Sequence, residues 1–566
     1  MTDRCQSTSK EDSADRGSEF SLRTRESNLS QMRQQTFDLA VIGGGITGAG
    51  VALDAASRGL SVALVENRDF ASGTSSRSSK LIHGGLRYLE QFHFGLVRES
   101  LHERAVLTRM APHLSKPLSF LVPIYSSGTR SPLGANKLKL SIGLWLYDLL
   151  ASSQNIERHR WLSPVEALRL APALDRDQLR GGFVYYDCLT DDARLVIEVI
   201  KSAASYGAVI ANYAAVQAVN RSSGVASLTV EDRLAADRFD LKSRVIVNAT
   251  GVWTDQVSRL SEATAPKRLR PSKGIHLVLP REKFENQTAV LIPSLRESRF
   301  LFVIPWQDRV VVGTTDTDYD GDLDHPIAEL DEVNRVLESV ARAFPSAKLT
   351  SDDLISTFAG LRPLISADEQ STKELSRKEE IFEDGEGMLT ISGGKLTTWR
   401  RMADRVVDRS VSKLQAIDGI RRPHWRRSVT EKIQLAGGRV ARPLDEEASR
   451  AANEWGVESS TARHLINTYG GNYRVVLEPT REASGLNSAL IEGLPQIEAE
   501  VVYAVRYEMA LTIEDFFARR TRIKLLSRDH GRAAAARVAQ LLGRELGWQE
   551  TETQRKLADY FEQSSS

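Results

Sequence analysis

The sequence predicts an α/β fold with a β-rich insertion, followed by a separate α-helical C-terminal domain. Near residue 37 a buried strand, a glycine turn, a helical pattern and a second strand follow one another, the order of a βαβ unit in a parallel sheet. Strand-like runs recur within residues 274–313, and helical apolar spacing dominates from about residue 426. With 566 residues the chain is also too long for one compact core.

These patterns divide the chain into three parts. Residues 1–36 are rich in Ser, Thr, Asp, Glu and Arg and poor in large apolar residues, so we predict a disordered extension. Residues 37–425 are predicted to hold the first domain and its insertion, since strands at Arg244–Asn248 and Met388–Ile391 return to the first sheet. Residues 426–566 are predicted to form the helical C-terminal domain.

Composition excludes several classes of protein. Lys and Arg total 75 against 74 Asp and Glu, so no overall positive field favours nucleic acid. Two cysteines cannot build a disulfide framework, which favours a reducing compartment. No apolar run approaches the roughly 20 residues of a membrane span, and the N-terminal segment lacks the apolar stretch of a secretory signal. We predict no metal site.

A glycine motif marks the start of a Rossmann-like domain. Gly43, Gly45 and Gly48 form G-x-G-x-x-G between the first strand and the helix, where they allow a tight turn, close approach of a pyrophosphate and helix–strand packing. Glu66 ends the second strand, where a carboxylate accepts bonds from ribose hydroxyls. The alternative is a glycine loop that only turns the chain. The predicted cofactor contacts of this unit are Gly43, Gly45, Ile46, Thr47, Gly48 and Glu66.

Two later turns favour a flavin over a nicotinamide cofactor, which the βαβ unit alone does not separate. Asn248–Gly251 closes a buried strand with small residues, as a backbone passing close to a cofactor requires. Ser392–Trp399 follows another strand and opens a helix, so its Gly-Gly turn can direct N–H groups at the pyrimidine side of a flavin. The alternative is a turn that merely ends a strand.

Several further segments carry a specific resemblance, and they occur in a fixed order along the chain. They are Thr74–Glu90 (TSSRSSKLIHGGLRYLE), Tyr186–Cys188 with Asp191–Leu195, Asn248–Gly251, Lys273–Gly274 with His276, Phe302–Trp306, Gly313–Asp316, Gly360–Leu364, Gly393–Thr398 and Asp515–Arg522. Together they resemble the FAD-dependent, respiratory glycerol-3-phosphate dehydrogenases, within the D-amino-acid-oxidase-like flavoprotein group. The resemblance covers nearly everything after residue 36.

This resemblance implies a Rossmann-like FAD-binding domain with an inserted β-rich substrate domain and a helical C-terminal domain. It implies FAD as the cofactor and oxidation of sn-glycerol 3-phosphate to dihydroxyacetone phosphate, with a hydride passing from C2 to N5 of FAD and electrons passing to a membrane quinone. The further cofactor contacts that it implies are Thr74, Ser75, Ser79, Lys80, Leu81, His83, Ala249, Gly251, Trp253, Asp316, Gly394, Lys395, Leu396 and Thr397.

The same resemblance, read with the chemistry of the side chains, assigns catalytic candidates. Arg87 and Tyr88 are expected beside the substrate phosphate, and Arg362 at the C2 oxygen, where a guanidinium stabilises a developing alkoxide. Lys395 is expected to reach flavin or phosphate. His276 and His83 are both candidates for the general base, and the choice between them stays open. Weaker candidates for the basic pocket are Lys273, Arg299 and Arg377.

The remaining predictions concern contact with a membrane and the oligomeric state. Lys137–Leu150 is apolar with Trp and Tyr inside, so we predict either an interfacial membrane helix or an ordinary buried helix. The resemblance implies a cytoplasmic protein bound peripherally to the inner face of the cytoplasmic membrane, and a homodimer is a further expectation.

The large insertion of the related soluble oxidases is missing, which favours a dehydrogenase. The alternatives are a glycerol-3-phosphate oxidase using oxygen, a flavin oxidase of an amine or amino acid, an idle flavoprotein scaffold and an NAD-dependent dehydrogenase.

Overall fold

Two β-sheets and a helical C-terminal layer make up the computed structural model, which describes residues 19–126, 137–222, 224–295, 300–366, 379–418 and 425–563. The strands in chain order are β1 (Thr36–Ile42), β2 (Val62–Val65), β3 (Leu81–Ile82), β4 (Lys116–Tyr125), β5 (Arg160–Leu162), β6 (Leu179–Leu189), β7 (Val209–Ala211), β8 (Ala214–Ser222), β9 (Val225–Asp232), β10 (Asp237–Asn248), β11 (Ser272–Pro280), β12 (Ala289–Pro293), β13 (Phe300–Trp306), β14 (Arg309–Gly313), β15 (Thr317–Asp318), β16 (Ser356–Arg362), β17 (Glu380–Glu383) and β18 (Leu389–Ser392).

The helices alternate with these strands up to residue 418 and then follow one another without strands. In chain order they are α1 (Leu22–Gln34), α2 (Ile46–Ser57), α3 (Phe94–Met110), α4 (Lys137–Ala151), α5 (Pro164–Leu170), α6 (Asp192–Ser205), α7 (Thr254–Ser261), α8 (Leu330–Ala343), α9 (Trp399–Asp418), α10 (Leu444–Trp455), α11 (Ser459–Tyr469), α12 (Tyr473–Leu477), α13 (Pro479–Glu482), α14 (Ala499–Glu508), α15 (Ile523–Leu526), α16 (Arg532–Leu546) and α17 (Glu550–Gln563).

The first sheet has a parallel centre in the order β18-β10-β1-β2-β7. Its central strands are apolar at nearly every position because helices α2, α6 and α9 cover one face and α1 and the β8–β9 hairpin lie on the other side. In β1, Ile42 pairs with Val65 and Asn248, so the carboxyl ends of three parallel strands meet at one edge. Ligands of open α/β sheets bind at such an edge.

The second sheet is built largely from antiparallel pairs, in the order β15-β11-β14-β13-β12-β4-β6-β3, with β16 beside β11 and β5 beside β6. Helices α5 and α8 pack on one face through the apolar positions of the strands. The sheet brings His276 on β11 and Arg362 at the end of β16 into the same region, since Ser272 of β11 pairs with Arg362. The predicted β-rich insertion is therefore present.

The C-terminal helices form one apolar cluster that also contacts the second sheet at Trp306 and Val311. The predicted fold class, with its two sheet domains and its helical C-terminal domain, is confirmed. The domain boundaries at 36 and 425 remain predictions. Among the described helices, none combines the length and apolarity that crossing a bilayer requires.

The predicted disorder of residues 1–36 is wrong for the part that the structure describes. Helix α1 docks on the first sheet, and its buried residues Arg25, Leu29 and Met32 follow helical spacing. The Arg25 guanidinium bonds to the Asn212 carbonyl at 2.8 Å and to Asp232 at 2.6 Å. The composition is polar because this helix anchors itself through a buried ion pair as well as apolar contacts. Residues 1–18 lie outside the described part.

Candidate functional site

A cavity of about 380 Å³ opens at the carboxyl edge of the first sheet, where the glycine motif lies. Gly43 has φ +109°, a left-handed backbone that glycine adopts easily. A Cβ at Gly48 would overlap the carbonyl oxygen of Gly43, so this glycine lets α2 start directly against the turn. The loop therefore packs as the motif predicts, with its backbone forming the cavity wall.

The cavity brings together thirteen of the predicted cofactor residues. They are Gly43, Gly45, Ile46, Thr47, Glu66, Thr74, Ser75, Ala249, Gly251, Trp253, Gly394, Lys395 and Leu396. Residues from β2, from the loop after it, from β10 and from the turn after β18 therefore converge on one space, although they lie far apart in the sequence. Their roles as cofactor contacts remain predictions.

Glu66 lies at the end of β2 and closes one end of the cavity. Its carboxylate accepts hydrogen bonds from the backbone N–H of Gly44 at 2.6 Å and of Arg68 at 2.9 Å. Burial raises the pKa of Glu66, and the two N–H donors partly offset that rise. A carboxylate fixed in this way has remaining lone pairs for ribose hydroxyls.

The N-terminus of α2 is occupied by a hydroxyl from the segment after β2. The Ile46 N–H donates to Ser75 Oγ at 3.0 Å, and a Cβ at Gly45 would lie 3.1 Å from that oxygen. Thr74 Oγ1 donates to the Leu361 carbonyl at 2.7 Å, one residue before Arg362. Helix N-termini attract anions, so a pyrophosphate bound here would lie between the glycine turn and Ser75.

The opposite wall is the turn after β18. Gly393 and Gly394 both have left-handed backbones, with φ of +79° and +77°. Lys395 follows, and its Nζ lies 3.7 Å from the centre of the Tyr88 ring, a cation–π contact. The structure thus brings the predicted Lys395 and Tyr88 together, while Arg87 lies half-buried in the same short helical turn as Tyr88.

Arg362 is fixed by its neighbours beside this end of the cavity, where Pro363 contributes to the wall. Its Nη2 donates to Thr314 Oγ1 at 2.8 Å and to the Thr315 carbonyl at 3.0 Å. Its Nη1 lies 3.3 Å from Asp316 Oδ1. A guanidinium held at several points is pre-organised for an anionic oxygen.

His276 is buried next to this arginine. Its ring stacks on Phe358 with centres 4.6 Å apart, and its Nε2 lies 2.8 Å from Ser79 Oγ. Burial, and then the charges of Arg362 and Lys80, lower the pKa of His276 to about 3. The imidazole is therefore neutral at physiological pH. Negative charge on an oxygen bound to Arg362 would raise this pKa, because it would offset the repulsion from the nearby cations.

Seven predicted cofactor residues do not line the cavity. Gly48 packs on Gly43, Leu81 is buried in β3, and Ser79 contacts His276. The backbone of His83 exchanges hydrogen bonds with Thr397 Oγ1 at 3.1 and 3.3 Å, Asp316 contacts Arg362, and Lys80 is fully buried against Asp192 at 3.0 Å. Their placement favours support of the wall, because the side chains of Ser79, Lys80, Asp316 and Thr397 contact protein groups.

The remaining basic candidates have separate positions. Lys273 is buried in an ion pair with Glu332 at 2.8 Å, which explains its presence without a ligand. Arg299 and Arg377 lie outside the described residues. Within the described ranges, no group of three or more His, Cys, Asp or Glu side chains is arranged to hold a metal ion.

Sequence reasoning missed part of the cavity near Glu66. The wall there includes Arg68, Gln217, Arg233 and Gln256. These residues come from the loop after β2, from β8, from the turn after β9 and from α7. No motif spacing marks them, since tertiary packing, including that of α7 against β8, brings these separate elements to this edge.

The lining of the cavity fits FAD, because it includes the Glu66 carboxylate, the N-terminus of α2 and the glycine turn at Gly394. With this lining, the fold and the following comparisons define a flavin-dependent oxidoreductase. A family model described as "FAD dependent oxidoreductase" matches residues 38–400. A second, described as "C-terminal domain of alpha-glycerophosphate oxidase", matches residues 428–553. The predicted cofactor, FAD, is thereby confirmed.

Comparison with individual relatives identifies the family within this class of oxidoreductases. The chain is 40% identical over 528 residues to glycerol-3-phosphate dehydrogenase 2 of Mycobacterium tuberculosis, covering 93% of this chain and 88% of that one. It is 38% identical over 504 residues to aerobic glycerol-3-phosphate dehydrogenase of Staphylococcus aureus, with 88% of each covered. A crystal structure of glycerol-3-phosphate dehydrogenase from Bacillus halodurans with FAD superposes with a TM-score of 0.78 at 32% identity, covering 96% and 97%. This chain belongs to the FAD-dependent glycerol-3-phosphate dehydrogenase family, as its sequence motifs predict.

Proposed function

We propose that this chain oxidises sn-glycerol 3-phosphate to dihydroxyacetone phosphate and passes the electrons to a membrane quinone. The observation that carries the proposal is the pre-organised Arg362 beside the cavity lined by the glycine motif, in a family whose relatives bear the name of this activity. When bound, FAD supplies the hydride acceptor that the side chains of the protein lack.

The side chains divide the work on the substrate. Arg362 is placed to stabilise negative charge that develops on the C2 oxygen, because Thr314, Thr315 and Asp316 hold its guanidinium still. Arg87 and Lys395 are the cations proposed to hold the phosphate dianion, with Tyr88 fixing the Lys395 ammonium by its ring. Neutral His276 remains a candidate to accept the hydroxyl proton as negative charge on the C2 oxygen at Arg362 raises its pKa.

The direct test is an anaerobic titration of the purified holoenzyme followed by visible absorption. sn-Glycerol 3-phosphate should bleach the flavin band, whereas its enantiomer and glycine should leave it unchanged. Adding a soluble quinone should restore the band faster than adding oxygen. A flavin that bleaches with glycine or a D-amino acid would favour the amine-oxidase alternative, and faster recovery with oxygen would favour a glycerol-3-phosphate oxidase.

An exposed apolar face on α4 supports the proposed membrane contact. Leu138, Ile142, Trp145 and Leu149 are 68%, 60%, 62% and 57% exposed and follow one another along one side of the helix. Leu144 points to the core, so only half of the predicted helix presents an apolar surface to solvent. The buried-helix interpretation fits the face that carries Leu144, and we propose the interfacial interpretation for the exposed face.

A lipid surface is the occupant that this face fits best. Phe92 and Phe94 are further exposed rings in the segment whose Glu90 pairs with Lys139 of α4 at 3.3 Å. Lys137 and Lys139 are exposed at the start of the helix, where they can meet anionic lipid headgroups. We therefore propose peripheral binding to the inner face of the cytoplasmic membrane, where a quinone is within reach.

This contact can be tested separately from turnover. Ile142→Ser with Trp145→Ser should abolish co-sedimentation with vesicles containing anionic lipid and leave flavin bleaching intact. Ile327→Ser, at another exposed apolar position, is the matched control and should still bind. If the double variant bound vesicles normally but lost a dimer in light scattering, a second copy of the chain would be the occupant of this face.

A further inference from the structure

A buried cluster of charges joins the C-terminal domain to the segment that follows β2. Asp192, at the start of α6, bonds to Lys80 Nζ at 3.0 Å and to Arg522 Nη2 at 2.9 Å through the same oxygen. Its other oxygen accepts from the backbone N–H and hydroxyl of Ser78 at 2.9 and 2.7 Å. Arg522 also donates to the Ser76 carbonyl at 2.8 Å. Lys80, Asp192 and Arg522 are at most 2% exposed.

The held segment, residues 74–80, contacts the site on its other side. Ser75 meets the N-terminus of α2, Thr74 bonds to the Leu361 carbonyl, and Ser79 contacts His276. Lys80 has φ of +59°, a left-handed backbone that a lysine adopts only when its surroundings impose it. The segment has one conformation because contacts from both sides fix it.

We infer that Arg522 is a positioning residue for the flavin and substrate site, acting from the C-terminal domain through Asp192 and Ser76 on residues 74–80. The inference rests on the proposed function for its turnover readout. The inference assigns the helical domain an indirect part in catalysis, since Arg522 does not itself line the cavity.

The geometry favours positioning over simple attachment of two domains. Attachment needs only opposite charges across the junction, and Asp69 already supplies such a contact to Arg519 and Arg520, at 2.5 and 2.8 Å. Arg522 differs in its target: its Nη2 bonds the Ser76 carbonyl and Asp192, while its Nη1 bonds the Ala518 carbonyl at 2.9 Å within its own domain. Its planar guanidinium therefore fixes the backbone of residues 74–80 relative to the C-terminal domain. Burial and the charge of Arg522 lower the pKa of Lys80 to about 8, so the arginine also influences the lysine electrostatically.

The test compares two Arg→Lys variants within the same domain. Arg522→Lys keeps a positive charge, but a single ammonium cannot replace both Nη1 on the Ala518 carbonyl and Nη2 on Ser76 and Asp192. Arg528→Lys is the matched control, because exposed Arg528 donates to the carbonyls of Asp352 and Leu354 at 2.6 and 2.8 Å and does not contact residues 74–80. Each variant is purified as holoenzyme, and kcat, KM, the flavin spectrum, the FAD dissociation constant and Tm are measured.

We expect Arg522→Lys to lower kcat per bound flavin about 10- to 100-fold, to shift the flavin band and to weaken FAD about tenfold. Arg528→Lys should stay within about twofold of wild type in each. Ser78→Ala should lower kcat less, and its effect should not multiply with that of Arg522→Lys, since both act through Asp192.

Two results would overturn the inference. One is an Arg522→Lys enzyme with a lowered Tm but wild-type kcat, spectrum and FAD affinity, which would make the residue purely structural. The other is full multiplication of the Ser78 and Arg522 effects. If wild type fails to oxidise sn-glycerol 3-phosphate, the proposed function fails, while the spectrum and FAD affinity of the two variants still decide the inference.

Discussion

The two ends of the cavity are built from different materials. At the nucleotide end, the glycine turn at Gly43 and Gly45 and the N-terminus of α2 bring backbone to the wall, within one strand–turn–helix unit. At the substrate end, side chains such as Arg362 and Lys395 dominate, and each is held by groups far away in the chain. The nucleotide end is therefore sensitive to substitutions that add atoms, and the substrate end to substitutions that remove charges or hydrogen bonds.

The sharpest test of this difference adds one carbon at the nucleotide end. Gly48→Ala should yield protein without FAD, or no folded protein, because the new Cβ would overlap the Gly43 carbonyl oxygen and backbone cannot yield cheaply. FAD content from the ratio of visible to ultraviolet absorbance measures the effect. Gly143→Ala is the control, since a Cβ there meets nothing within 4 Å, and it should retain FAD fully.

At the substrate end, the corresponding change keeps the volume and alters the contacts. Arg362→Lys should lower kcat/KM by about 100-fold, because a single ammonium cannot replace a guanidinium bonded at several points. FAD content and Tm should stay close to wild type. Steady-state kinetics with saturating quinone measure the loss, and a variant that lost FAD instead would show that the two ends are not separable.

Behind the nucleotide end lies helix α1, whose buried ion pair predicts a smaller effect on stability. Arg25→Ala should lower the free energy of unfolding by about 3 kcal/mol, since it leaves Asp232 buried without its partner. Arg33→Ala, which removes an exposed ion pair with Asp237 on the same helix, should cost less than about 1 kcal/mol. Urea titrations of both variants provide the measurement, and equal losses would contradict the contrast.

The smallest expected effect concerns pH. Burial lowers the pKa of both His113 and His276 to about 3, below the value of about 6.5 for an unfolded histidine. The unfolded chain therefore binds more protons between these values, so stability is lost as pH falls from about 6.5, by about 1.4 kcal/mol per pH unit for each histidine. His113→Gln should flatten the urea-unfolding free energy between pH 6.5 and 5 by that amount, and an unchanged slope would refute the assignment.

The difference between the two ends of the cavity also explains which parts of the site could be predicted from the sequence. The glycine turn, Glu66 and the Gly-Gly turn at Gly394 follow from local patterns, because a strand, a turn and a helix adjacent in sequence are adjacent in space. The contact of Tyr88 with Lys395 and the hold of Arg522 on Asp192 follow from tertiary packing across hundreds of residues. Resemblance could name Arg87, Arg362 and Lys395, but not what fixes them.

Helix α1 is an element that the sequence analysis predicted wrongly. Its polar composition predicted disorder, yet Arg25, Leu29 and Met32 occupy the i, i+4 and i+7 positions of a docked face. The scarcity of large apolar residues misled because one buried arginine, paired with Asp232, takes a place on that face usually filled by an apolar side chain. Such a helix can be predicted from sequence only when the buried partner of its arginine is already known.

The segment just before α1 has a consequence for the order in which the protein is completed during synthesis. The Phe20 N–H donates to the Arg506 carbonyl at 3.0 Å, and the Met509 N–H donates to the Phe20 carbonyl at 2.7 Å. Phe20 therefore forms these hydrogen bonds only with residues that the ribosome adds much later than Phe20 itself. The nucleotide domain can assemble while translation continues, but this closing contact forms only after residue 509 has left the exit tunnel.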